Sequence, residues 1–420
     1  MQSGATPFPD WPRLATAPRP EQVHTPTFGP GMVLSVAAGF FTAFTVSLVG
    51  EMPVGEIVLF LVAGWAGLCA ILHQAVPGPL FHERMFRTLM ISQAIALAGY
   101  VIADVAWRSA LLDVARGWSR MIFLAIDLVA FTYLFGRSPR NFLWFLGGRL
   151  VGDVAQAMIF GALFGDTWKF GIGVPLTFAA IYLASFGGPF LVVLVALAFG
   201  ALHFVLDFRS VGGLCVGLAA FAAIQLLPIG WRKMAVPLGV ILALSLVVTI
   251  YSTTRRDDDP HRASRSDVDR SSMIRAATEA FVHSPLIGHG SWFSRSHVYD
   301  NFLQIRDDAA KEADIGGFIG PNEEPEPVAL HSQILVALAE GGLLGGAFFI
   351  VFGADIVRAL YCQAMTETWV RSNAVRILAL LFAAWNLWMS PFSGAHRVNI
   401  AMVAGLLLLM PPVHRPDETA

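Results

Sequence analysis

Three side chains stand out for the chemistry they could share. Arg209 lies in LDFRSVGG, Arg275 in SSMIRAATEAFV, and His331 opens HSQILVALAEGGLLGG. A guanidinium is a planar fork of donors that suits phosphate oxygens. Two of them could grip a diphosphate and stabilise it as it leaves. A histidine titrates near neutral pH and could take a proton from an attacking hydroxyl. Each also has a plainer use: arginines at span ends snorkel to headgroups, and a histidine at a helix start can simply be solvated at an interface. Which use applies depends on whether the chain brings the three together.

The chain that must position them is a membrane chain. It has 420 residues, mean hydropathy +0.62 and only 14% charged residues, against about 25% in ordinary soluble domains. Net charge is -2, so no global basic field attracts nucleic acid. Cys69, Cys215 and Cys362 are scattered through apolar stretches and show neither metal spacing nor a disulfide framework. His283, His289 and His297 likewise fit no closed zinc site.

Apolar runs of near-spanning length fall at 33–50, 56–72, 88–104, 121–136, 142–163, 171–184, 188–206, 211–228, 235–251, 331–354, 374–390 and 397–412. The expectation is therefore an all-α polytopic membrane protein of about twelve transmembrane helices: nine across 33–251 and three across 331–412. A polar, Pro-rich tail at 1–32 and a short one at 413–420 flank them. With the N-terminus inside, Arg84, Arg87, Arg137, Arg140, Arg232, Lys233, Arg358, Arg371 and Arg415 all fall on the cytoplasmic side. One loop disagrees, 105–120, with Arg108, Arg116 and Arg120 outside. It reads as an amphipathic helix on the outer surface.

This frame puts the long loop 252–330 outside. Apolar residues at helical spacing in MIRAATEAFV predict an ordered surface helix over 271–283, ended by Pro285 and Gly288, and 307–328 reads as mobile. Arg209 at the outer end of the seventh span, Arg275 in the loop helix and His331 at the re-entry point then converge at one membrane face. Transfer from a lipid diphosphate is the implied chemistry. His203 and Asp207, four apart, can pair on one helix face or line the pocket wall. Glu340 lies nine residues into its span, roughly 13 Å deep at 1.5 Å per residue. It must face the bundle and find a partner or a proton, and the GGLLGG that follows allows close helix approach.

FVHSPLIGHGSWF, followed some forty residues later by HSQILVALAEGGLLG, resembles the bacterial O-antigen ligase and Wzy-type polysaccharide polymerase superfamily. Members carry a "PLLG.G" segment, a long outer loop, and a His-started span with an acidic residue and "GLLG". Arg275 matches the arginine before that segment. Arg209 is similar to the arginine of an "SR" motif, with Phe208 in place of the small polar residue. The resemblance implies a GT-C-like, metal-independent glycosyltransferase without cofactor in the bacterial inner membrane, its site facing the periplasm. The donor would be an undecaprenyl-diphosphate-linked glycan, the acceptor a saccharide or lipid-linked saccharide, and other polysaccharide assembly and export proteins would be partners. It makes His331 the base and Arg275 and Arg209 the diphosphate ligands, with Gly288 and Gly290 beside the substrate. Two rival classes stay open on sequence: a transporter or flippase of lipid-linked sugars, and a non-enzymatic component of envelope assembly.

Overall fold

A computed structural model describes residues 29–47, 51–72, 83–161, 167–228, 230–231, 260–292, 303–308, 311, 332–365 and 372–409. In chain order the helices are α1 Pro30–Thr42, α2 Gly55–Ile71, α3 Arg84–Trp107, α4 Leu111–Arg137, α5 Arg140–Phe160, α6 Gly173–Ala184, α7 Gly188–Val205 and α8 Arg209–Ile224. They continue as α9 Pro260–His283, α10 Gln333–Gly345, α11 Ala347–Ala364, α12 Ser372–Met389 and α13 Gly394–Leu408. A small hairpin, β1 Thr45–Ser47 with β2 Glu51–Pro53, joins α1 to α2, its strands antiparallel with Thr45 opposite Pro53.

The protein is an all-α polytopic membrane protein. Six helical segments among the described residues are long and apolar enough to cross a bilayer: Arg84–Trp107, Leu111–Arg137, Arg140–Phe160, Gly173–Val205, Ala347–Ala364 and Ser372–Met389. In Gly173–Val205 only 22% of the most apolar window is buried by protein. Its exposed Leu183, Phe190, Leu194 and Leu197 need lipid as their solvent. The shorter apolar helices are α1, α2, α8, α10 and α13. The expected span 235–251 lies outside the described residues.

Aromatic packing and buried ions tie the bundle. Phe131, Phe142, Phe145, Phe178 and Phe382 meet largely edge to face, linking α4, α5, α6 and α12. Arg397 of α13 grips both carboxylate oxygens of Glu56 on α2, and Asp127 of α4 lies 4.0 Å from its Nε. All three are buried, so these ionisable groups are held where lipid cannot reach them.

The structure redraws several expected elements. The run 33–50 is not one helix: α1 stops at Thr42 and the chain pairs as a hairpin. The run 105–120 is not a surface helix. Asp104 and Trp107 finish α3, Arg108 turns the chain at φ 52°, and residues from Leu111 form the first turns of α4. Asp113, Gly117 and Arg120 are buried there, so two of its charged residues face protein. The loop helix is longer than expected, starting at Pro260. The run 331–354 is not one continuous helix: inside α10 Gly342 takes φ 64° and ψ −159°, a backbone conformation essentially reserved for glycine, and α11 starts at Ala347.

Candidate functional site

The break at Gly342 organises everything around it. A helix end leaves backbone carbonyls without intrahelical partners. Here the segment after α9, Ser284–Trp292, supplies them. His289 N donates to the Ala339 carbonyl and Gly290 N to the Glu340 carbonyl, both at 2.9 Å. Leu343 N donates back to the Pro285 carbonyl at 2.8 Å. This clip binds α9 to the end of α10, and Ala280 and Ala339 pack together beneath it. Gly288 (φ 75°) and Gly290 (φ 85°) are both buried within it. A Cβ on Gly288 would lie 2.4 Å from the Glu340 carbonyl oxygen, and one on Gly290 would lie 2.5 Å from Ser109 Oγ. What these glycines touch is protein.

Two carboxylates hold the clip from the membrane helices. Glu340, 2% exposed, accepts from Arg120 Nη2 at 2.8 and 2.7 Å, from Tyr100 Oη at 2.8 Å and from Trp292 N at 2.9 Å. Asp104 accepts from Trp118 Nε1 at 2.7 Å, Ser291 N at 2.6 Å and Ser291 Oγ at 2.7 Å. Trp107 Nε1 donates to the Gly288 carbonyl at 2.8 Å, and its ring stacks on His289 at 5.5 Å. The Arg120 guanidinium sits over the rings of Trp292 and Phe392, at 4.9 and 5.2 Å. Four elements, α3, α4, α10 and the clip, thus share one hydrogen-bonded network.

Of the residues singled out from sequence, Arg275 lies exposed on α9 and pairs with Glu279 at 3.0 Å, one turn on. Its helix packs along α10. His331 lies outside the described residues; the next residue, Ser332, is the N-cap of α10, its Oγ accepting from Leu335 N at 3.3 Å. Arg209 begins α8 and pairs with Asp207 at 2.8 Å. Helix α8 packs on α7 and α12, and α12 also packs on α10.

The expected pairing of His203 with Asp207 does not form. Helix α7 ends at Val205 and Asp207 sits beyond it at φ 55°, turned to Arg209. His203 is buried instead among Trp168, whose Nε1 donates to its Nδ1 at 3.0 Å, and Thr177, 2.8 Å from its Nε2. An indole can only donate, so Nδ1 accepts and Nε2 carries the proton. Glu340 stands two residues before the break at Gly342, not in the middle of an unbroken span.

Sequence reasoning did not single out Arg120, Asp104 or Tyr100 as partners of this region. The signal was present: Asp104 and Arg120 are charges inside or beside apolar runs, and such charges need partners.

The fold and this network define a multi-pass helical membrane protein whose long-loop helix is clipped to a broken, glycine-rich helix. Residues 170–350 match the family model described as O-antigen ligase, Wzy_C, and the chain carries that domain. The matched range contains Arg209, Arg275, the clip, His331 and Glu340. No curated protein matches the chain.

Proposed function

We propose that the protein is a membrane glycosyltransferase of about twelve spans and GT-C-like architecture. It transfers or polymerises glycan from an undecaprenyl-diphosphate donor at the periplasmic face of the bacterial inner membrane, for exopolysaccharide or O-antigen assembly. The observation that carries the reading is the O-antigen ligase match over residues 170–350. The packing of α9, bearing Arg275, along α10, whose N-cap directly follows His331, is in keeping with it.

In this reading Arg275 and Arg209 bind the diphosphate, and their carboxylate neighbours Glu279 and Asp207 orient the forks. His331 accepts the proton of the acceptor hydroxyl as its oxygen attacks the anomeric carbon. The carbon–oxygen bond to the diphosphate breaks as the new glycosidic bond forms, and the leaving negative charge falls on the guanidinium groups. Gly288 and Gly290 serve by holding the clip. The deciding experiment supplies purified protein with undecaprenyl-diphosphate-linked oligosaccharide and a saccharide acceptor and measures glycan product. Product from wild type and none from His331→Ala supports the reading; no product from wild type turns it toward a transporter or a non-enzymatic component.

A further inference from the structure

The clip poses a question that the reactive residues leave open. Helix α9 belongs to the long loop, and α10 follows the loop's return. What fixes one against the other? Three backbone hydrogen bonds join the clip to α10. They depend on two buried side chains that belong to neither. Asp104 of α3 accepts from Trp118 and Ser291, and Arg120 of α4 fills one side of Glu340. Gly117 makes room for this, since a Cβ there would lie 2.0 Å from Ser291 Oγ.

We infer that Asp104 and Arg120 are positioning residues: they lock the Ser284–Trp292 clip to the membrane helices and so set the place of Arg275 relative to the start of α10. The positioning role rests on the glycosyl-transfer reading; the lock itself does not. A bound geometry off by about 1 Å can cost roughly 10²-fold in rate. A donor-side arginine on a loop helix is where such drift would enter.

Asp104 is the sharper handle. Its Oδ2 accepts from Trp118 Nε1 and Ser291 Oγ, and its Oδ1 from Ser291 N. An Asn of the same shape must turn an amide NH2 toward at least one of these donors. The substitution therefore opposes the clip without creating a cavity.

The test uses full-length protein with Cys69, Cys215 and Cys362 replaced, and spin labels at Ser271 on α9 and Leu343 at the end of α10, both exposed. Distance distributions and transfer kinetics are recorded on the same samples. Wild type should give one narrow distance. Asp104→Asn should broaden it and lower kcat by about 10–100-fold with donor KM changed far less. Ser291→Ala, which keeps the backbone donor, should fall between and covers the case in which Asp104→Asn does not fold. Asp153→Asn, at the Arg149 pair on α5, should lower thermal stability and leave the distance narrow.

A narrow distance in Asp104→Asn and Ser291→Ala overturns the lock. A broadened distance with unchanged kcat overturns the positioning role. A wild type with the narrow distance and no transfer overturns the glycosyl-transfer reading, and the positioning role with it, while a broadened Asp104→Asn distance would still establish the lock.

Discussion

Arg120 and Glu340, 220 positions apart, form a buried ion pair in which one nitrogen, Nη2, reaches both carboxylate oxygens, at 2.8 and 2.7 Å. The pair joins α4 to the end of α10 at the point where α10 breaks. Each partner is nearly sealed from solvent, with 9% and 3% of its side chain exposed. Attraction in such a site offsets desolvation only while both charges remain. Tyr100 Oη and Trp292 N complete the carboxylate.

Removing one partner should therefore cost more than removing both. Arg120→Met leaves Glu340 charged and buried, and about 3–5 kcal/mol of unfolding free energy is expected to be lost. Arg120→Met with Glu340→Gln removes that charge and keeps an acceptor for Tyr100 or Trp292, so more than half should return. Detergent or thermal unfolding of the three proteins measures it. A double variant no more stable than Arg120→Met would mean that the charge pairing is not what holds this corner.

The break itself predicts a contrast between two glycines. Gly342, at φ 64°, would place a Cβ 2.4 Å from Leu286 backbone atoms, whereas Gly64, exposed in α2, would place one in open space. Gly342→Ala should destabilise by at least about 1–3 kcal/mol from backbone strain alone. Gly64→Ala should be neutral or stabilising by up to about 1 kcal/mol. Melting curves of the two variants in the same detergent decide it; equal midpoints would show that the break within α10 does not need glycine.

Hydropathy made the membrane class legible, because apolar runs report lipid directly. It was blind to the break inside 331–354, since GGLLGG satisfies a hydropathy window whether or not the backbone is continuous. The need of Glu340 for a partner was legible from its place in an apolar run. Its partner was not, because the pair spans 220 positions and the polar residues of 105–120 look equally suited to a water-facing surface. The same misreading explains the one loop that opposed the charge bias. Arg120 is spent on Glu340 and Arg116 lies 3.7 Å from Asp113, so two of the three opposing arginines face carboxylates. His203 was seen, but its true partners, Trp168 and Thr177, come from distant turns that helical spacing cannot predict.

The proposed orientation, with the long loop outside, is the one that the Lys and Arg bias leads one to expect. Single cysteines at Ile315 and Ser138 should then divide: the first labelled from the periplasmic side by an impermeant reagent, the second only after the membrane is opened. Labelling of Ile315 only after the membrane is opened, with Ser138 labelled from the periplasmic side, would invert the arrangement and remove the shared outer site.

The last prediction concerns chemistry at His331 and Arg275. A diphosphate is already a good leaving group, so it needs charge stabilisation more than a proton, and one base with two cations suffices for a single displacement. Attack from the face opposite the diphosphate inverts the anomeric carbon; a retaining route would need a covalent nucleophile. His331→Ala should lower turnover by roughly 10²–10⁴-fold, the range for positioned acid–base groups, with donor affinity little changed. Arg275→Lys keeps the charge and loses the planar fork, so it should cripple transfer by weakening the grip on the diphosphate, while the fold survives because Arg275 is exposed. Turnover should persist in EDTA, and the product linkage should carry the configuration opposite to the donor's by NMR. Retained configuration would break the single-displacement scheme. Wild-type turnover in His331→Ala would pass the base role to another residue, and near-wild-type turnover in Arg275→Lys would make that arginine a headgroup anchor.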